Sequence, residues 1–296
     1  MDDEAFAELV APHRGELLLH CYRMLGSRAD AEDALQETLL AAWRGIGGFE
    51  GRSSLRTWLY RIATNRCLNA RRRVPPAPAP PFTPPAPTRL GEVTWLQPFP
   101  DELLAAVPDD APGPEARYQM REAVELAFVA SLQRMPPRQA ATLILRDVLG
   151  YPTDQTASLL DLTPTVVKGL LQRARAALAT PASAASRPAD PELPARFAAA
   201  FTARDLDGLL ALLTDDAWLS MPPAPHEYQG RKAIGAFLAA SETWRDDLAL
   251  RLSPTSVNTQ PAYACFLDDA PAGLMVLTVR GDRLAALTRF LPMVVP

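Results

Sequence analysis

The 296-residue chain has three cysteines, Cys21, Cys67 and Cys265, which lie far apart and form no CxxC pair. Any pairing leaves one over, so neither a disulfide framework nor a zinc site is expected, and a reducing cytoplasm is the expected compartment. Long apolar runs are also lacking. No stretch approaches the roughly 18 residues of a membrane span, and the start, MDDEAFAELV, is acidic where a secretory signal is basic. The expectation is a chain without metal, cofactor, catalytic centre or membrane attachment. There is no overall positive charge: 30 basic against 34 acidic side chains leave a net charge of -4. Positive charge concentrated anywhere therefore needs a local reason. What the chain does have is ordinary globular material, 48% hydrophobic and 22% charged, long enough for two or three cores.

Charge and proline divide it. Residues 1–73 carry 11 basic and 10 acidic groups, 74–114 carry 1 and 5, 115–180 carry 8 and 6, and 181–296 carry 10 and 13. The two positive segments read as almost wholly helical. Between them "PPAPAPPFTPPAP" places eight prolines in thirteen residues, a composition suited to an extended spacer. The predicted organisation is a helical unit over 1–73, an acidic Pro-rich linker over 74–114, a second helical unit over 115–180, a short linker over 181–191 and a third domain over 192–296.

In the first unit Ala31, Leu35, Leu39, Ala42 and Ile46 recur at helical spacing and predict one buried stripe. Asp30, Asp33 and Glu37 share another face, which reads either as solvated surface or as a patch for a basic partner. The stretch "FEGRSSLRTWLYRIATNRCLNARRR", residues 49–73, holds seven arginines. On a helical projection Leu59, Tyr60, Ala63, Cys67 and Ala70 fall on one arc, and Arg61, Asn65 and Arg72 fall opposite with Trp58 and Asn69 beside them. Arginine and asparagine suit phosphates and base edges, and a tryptophan beside them suits unpaired bases. A solvated cationic face with Trp58 buried is the competing reading. Further on, "GYPTDQTASLLDLTPTVVKGLLQRARAAL" has helix-turn-helix layout. A short helix is led by Thr153, the turn lies at Asp161 and Leu162, and a longer helix has Thr163 as N-cap and Pro164 at its first position. Val167, Leu171, Ala174 and Leu178 make its core stripe. Thr165, Lys168, Gln172 and Arg175 line the outer face with Arg173 flanking, an arrangement that suits a major groove.

These motifs, in this order, carry a resemblance. "LLLHCYRMLGSRADAEDALQETLLAAWRGIGGFEGRSSLRTWLYRIATNRCLNARRR" resembles domain 2 of extracytoplasmic-function (ECF) sigma factors of the sigma-70 family. "LQRMPPRQAATLILRDVLGYPTDQTASLLDLTPTVVKGLLQRARAAL" resembles their domain 4. The C-terminal third, through "FAAAFTARDLDGLLALLTDDAWLSMPPAPHEYQGRKAIGAFLAAS", is similar to SnoaL-like domains of the nuclear transport factor 2-like superfamily. The resemblance implies core RNA polymerase and promoter DNA as partners. It implies a polymerase contact at Asp30, Glu32, Asp33 and Glu37, and a melted -10 element held by Arg52, Ser53, Ser54, Arg56, Trp58, Arg61, Asn65 and Arg72. It implies a -35 contact through Thr165, Lys168, Gln172, Arg173 and Arg175. It also routes the acidic linker through polymerase channels that otherwise hold nucleic acid; hydrophobic anchoring of its Trp95 and Phe99 on the protein's own domains is the competing reading.

The implied fold class is multidomain: two all-α DNA-binding domains and an α+β cone, whose strand patterns follow residue 213 and include a turn at Gly281 and Asp282. Trp218, Met221, His226, Tyr228 and Trp244 are the candidate lining of a C-terminal pocket, for which a ligand, a packing role and catalysis are the alternatives. An anti-sigma partner is left open. Two further functions compete with a promoter-specifying sigma factor: a helix-turn-helix repressor, and a small-molecule enzyme or ligand sensor acting through the C-terminal pocket.

Overall fold

The acidic N-terminus folds directly into helix. In α1 (Asp3–Val10) the Asp2 carboxylate caps the first turn by accepting the Ala5 N–H at 2.9 Å. The computed structural model describes residues 2–70, 81–91, 96–105, 123–178 and 190–292. The chain divides into two units, residues 1–73 with 96–182 and residues 74–95 with 183–296.

In the first unit α2 (Arg14–Leu25) stops where Gly26 turns left-handed at φ 72° and its N–H reaches the Tyr22 carbonyl at 2.7 Å. Ser27 then caps α3 (Arg28–Gly45), its hydroxyl accepting the Asp30 N–H at 3.2 Å. After a 3-10 turn at Ile46–Gly48, Ser54 caps α4 (Leu55–Asn69) through the Thr57 N–H at 3.1 Å. The α3 stripe buries Ala31, Leu35 and Ala42 as expected, with Leu39 and Ile46 half-buried. Ala34 and Thr38 widen it, because α3 packs against both α2 and α4. Leu59, Tyr60, Ala63 and Cys67 form the inner arc of α4. Ala70, expected to join them, is exposed: the helix ends at Asn69 and Ala70 is extended, at φ -61° and ψ 132°.

Residues 96–100 and α5 (Asp101–Ala105), within the expected linker, lie on this bundle. Phe99 is fully buried 4.7 Å from the Tyr22 ring, and the Tyr22 hydroxyl donates to the Gln97 carbonyl at 2.8 Å. Next come α6 (Leu126–Gln133), α7 (Pro137–Leu143) running into a π turn at Ile144–Val148, α8 (Thr153–Leu160) and α9 (Pro164–Leu178). The turn between α8 and α9 is made by Asp161 at φ 52°, which lets the Leu162 N–H reach the Ala157 carbonyl at 2.9 Å. Thr163 caps α9, accepting the Val166 N–H at 3.4 Å. This helical group packs on the first bundle. Buried Arg23 donates to the Ala123 carbonyl at 3.0 Å, and the Tyr60 and Tyr151 rings meet edge-on at 6.0 Å.

The second unit is the expected α+β domain. Helices α10 (Leu193–Thr202) and α11 (Leu206–Ala211) precede β2 (Leu213–Met221) and β3 (Ala224–Gln229). Helix α12 (Gly230–Arg245) follows, then β4 (Leu250–Val257), β5 (Gln260–Leu267), β6 (Ala270–Arg280) and β7 (Arg283–Phe290). With β1 (Arg89–Leu90) at one edge, the strand order is β1-β3-β2-β7-β6-β5-β4, parallel between β2 and β7 and antiparallel elsewhere. Strand β1 comes from the Pro-rich stretch. One sheet face buries Ala217, Leu219, Tyr263, Met275 and Leu277 against Phe197, Leu209, Ile234 and Phe237 of the helices. Among the described residues no helix is long and apolar enough to cross a membrane.

Candidate polymerase and nucleic-acid interfaces

The acidic face of α3 is graded. Asp33 and Glu37 are exposed, while Asp30 and Glu32 are half-buried. Glu32 pairs with Arg28 at 2.8 Å, and Glu37 lies 4.0 Å from Arg66. Sequence reasoning passed over their neighbours Leu40 and Trp43, which are 48% and 45% exposed. At 100° per residue Leu40 lies within about 60° of both Asp33 and Glu37, and Trp43 continues that edge. Two large apolar side chains beside carboxylates form a surface that can bury area and attract cations together. The readable signal was their i, i+3 spacing outside the core stripe.

On α4 the cationic residues separate into two kinds. Arg56 is tied down: its guanidinium meets the Glu16 carboxylate at 2.7 and 2.8 Å and covers the Tyr60 ring at 4.9 Å. Burial opposes its charge, but the Glu16 hydrogen bond, with the Tyr60 and Glu16 charges, outweighs that and leaves its pKa raised. Glu16 is only 13% exposed and also accepts from the Tyr60 hydroxyl at 3.2 Å. Beneath them His20 is fully buried, its Nε2 2.9 Å from the Thr64 hydroxyl. Burial, together with the Arg23 and Arg56 charges, lowers its pKa to about 3. Arg61 is exposed and pairs at 2.8 Å with Asp161 in the turn between α8 and α9.

Trp58 is half-buried, its ring 5.1 Å from that of Phe49, and it occupies the space a side chain at Gly45 would need. Asn65 is half-buried. In the loop before α4 Arg52 is exposed beside Glu50 at 3.2 Å, Ser53 donates to the Ser54 carbonyl at 3.3 Å, and Ser54 serves as the helix cap. Arg72 lies outside the described residues.

The outer row of α9 is more open. Thr165, Lys168, Gln172, Arg173 and Arg175 are all exposed along one side, and Val166 beside them is 44% exposed. Arg175 holds Asp147 through two hydrogen bonds of 2.7 and 2.8 Å. Gly169, within the helix, has room for a side chain next to Arg173.

In the C-terminal domain the five candidate pocket residues do not share one cavity. Tyr228 is fully buried beside Phe237 at 4.8 Å, and Trp244 stacks on Phe82 at 6.0 Å. Trp218 lies on the opposite sheet face under the Arg89 guanidinium at 4.2 Å, because it neighbours inward-facing Leu219 on the same strand. Met221 and His226 are half-buried near the bulge between β2 and β3. A separate cavity lined by Phe201, Arg204, Leu209, Leu238 and Arg245 measures about 20 Å³, room for one water.

Residues 9–74 match the Sigma-70 region 2 family, 125–178 the Sigma-70 region 4 family and 195–266 the SnoaL-like domain family. The chain is 42% identical over 304 aligned residues to the ECF RNA polymerase sigma factor SigG of Mycobacterium tuberculosis, covering 97% of this chain and 81% of that one. It is 32% identical over 180 residues to SigM of the same organism, covering 60% and 77%. Among solved structures it matches the Mycobacterium tuberculosis extracytoplasmic function sigma factor SigJ with a TM-score of 0.64. That match covers 96% of this chain and 95% of SigJ at 22% identity, a likeness of fold. With regions 2 and 4 in order, a SnoaL-like domain behind them and a 42% identical relative aligned over 97% of this chain, the chain belongs to the ECF RNA polymerase sigma factors.

Proposed function

We propose that this sigma factor meets core RNA polymerase through the α3 face of Asp33, Glu37, Leu40 and Trp43, with Asp30 and Glu32 at its margin. The -35 element is read by Thr165, Lys168, Gln172, Arg173 and Arg175 of α9. The melted -10 strand is held by Arg52, Ser53, Trp58, Arg61, Asn65 and Arg72 of α4 and its flanks. Arg56 and Ser54 serve that surface by positioning it, since one is bound to Glu16 and the other caps the helix. The C-terminal domain modulates the sigma module in cis and is regulatory, not catalytic. The protein works in the cytoplasm, where its polymerase is.

The carrying observation is that one chain presents an acidic and apolar face on α3 and an open cationic row on α9. A repressor using the helix-turn-helix alone has no use for the first. Run-off transcription with purified core enzyme tests the reading. Asp33→Lys with Glu37→Lys inverts two exposed charges without touching the buried stripe, and should reduce core affinity about 100-fold while leaving the unfolding midpoint unchanged. Undiminished core binding would remove the α3 assignment.

A further inference from the structure

The Pro-rich stretch between the two DNA-reading domains is built into the C-terminal domain. Phe82 lies between the Phe237 ring at 5.6 Å and the Trp244 ring at 6.0 Å. Three residues on, the Pro85 carbonyl accepts from the Tyr228 hydroxyl at 2.9 Å. Thr88 and Gly91 then donate their N–H groups to the Glu227 and Pro225 carbonyls at 2.9 and 2.7 Å, and the Thr88 hydroxyl accepts the Gln229 N–H at 2.9 Å. Arg89 bonds the Glu227 carboxylate, which is 12% exposed, at 2.5 Å and stacks over Trp218.

These contacts have the parts of a peptide receptor: an aromatic cleft, a hydroxyl donor, a strand edge and a recessed acid. Without residues 81–91, β3 would be the edge of the sheet and Glu227 would lose the Arg89 guanidinium. The occupant suits the site. Its four prolines between 81 and 87 keep it extended, so little conformational freedom is lost on docking.

We propose that the C-terminal domain is a receptor for residues 81–91 of its own chain, and that core polymerase binding releases this segment. The release deepens the reading that the domain acts on the sigma module in cis, and rests on it. Segment 81–91 lies in sequence between α4 and residues 96–105, which pack on the first bundle, so holding it restrains the chain that leaves the -10 reader. Release frees that chain.

Three measurements on the full-length protein test this. Hydrogen exchange at the Thr88 and Gly91 amides should be slow in the free chain and fast in Phe82→Ala/Arg89→Glu. It should also become fast in the wild-type chain when core polymerase is added. Equal protection in the free and core-bound chain would overturn release. If the docked state holds about 90% of the molecules, the double variant should bind core about tenfold more tightly; unchanged affinity would overturn coupling. The receptor itself is tested without polymerase. A synthetic PFTPPAPTRLG peptide should bind the double variant saturably and lose binding when Glu227→Arg is added. Failure of that peptide overturns the receptor, whereas failure of the wild-type chain to bind core, with the peptide still binding, overturns the polymerase-triggered step and the sigma reading with it.

Discussion

Helices α4 and α9 both turn cations outward, yet their charges are in different states. On α4, Arg56 is held by Glu16 and Arg61 by Asp161, while Trp58 rests on Phe49. On α9, Lys168, Gln172 and Arg173 face solvent, and among the described residues only Arg175 of this row pairs with a carboxylate, Asp147. One surface is offered, and the other is partly satisfied by the protein's own acids. The reason lies underneath. The α9 face sits above an apolar stripe of Val167, Leu171 and Ala174, whereas α4 sits above a polar layer of Glu16, His20, Arg23 and Thr64. Substitutions around α4 should therefore disturb folding and binding together, and those on α9 binding alone.

The strongest test of that contrast is Glu16→Ala. It leaves the buried Tyr60 hydroxyl without its acceptor and the Arg56 guanidinium, which is 42% exposed, without its partner, at a cost of about 1–2 kcal/mol. Lys168→Ala should stay within about 0.5 kcal/mol of the parent. Urea unfolding of both variants settles it, and equal midpoints would erase the distinction.

Acid should act on the same layer. His20 stays neutral in the fold down to a pKa of about 3, while the unfolded chain takes up its proton near the ordinary imidazole value of 6.5. Stability conferred by the neutral imidazole is therefore complete above pH 6.5 and falls as pH drops, by about 2 kcal/mol at pH 5. Burial is the main cause, and the Arg23 and Arg56 charges that face the ring add to it. His20→Gln should flatten the stability profile between pH 7 and 5; a parallel profile would place the titration elsewhere.

That polar layer shows where the sequence could be read and where it could not. The helices, their caps at Ser27, Ser54 and Thr163 and the turn at Asp161 follow local rules, because each is decided within four residues. The outer row of α9 was legible for the same reason. Arg56 was not: it falls in a run of arginines, and only the fold brings Glu16, forty residues earlier, against it. Cys21 and Cys67, far apart in sequence, become neighbours whose hydrogen bond, together with burial, pushes the Cys67 thiol up. The Pro-rich stretch was the hardest part. Its composition predicts an extended chain, and Arg89 and Leu90 form a strand, but composition says nothing of the β3 edge that receives them.

On the open side of the comparison the expected effects are smaller. Lys168→Ala should weaken binding to a promoter fragment several-fold and lower the slope of log affinity against log salt by about one, the signature of one lost phosphate contact. An unchanged slope would take Lys168 off the DNA.

The smallest effect falls at the point where the two sides meet, the 2.8 Å pair between Arg61 and Asp161. Asp161→Asn keeps the side-chain shape, and asparagine tolerates the left-handed backbone that the turn requires, so the charge alone is removed. Both partners are well exposed, at 48% and 65%, which places the pair at about 0.5–1 kcal/mol. Promoter affinity should rise about two- to fivefold as Arg61 is freed. Losing a negative charge near DNA would raise affinity by itself, so the gain must be measured again in an Arg61→Ala background. If Asp161 acts by holding Arg61, the second gain is smaller than the first. If it acts by repelling phosphate, the two gains are equal, and α4 is no more restrained than α9.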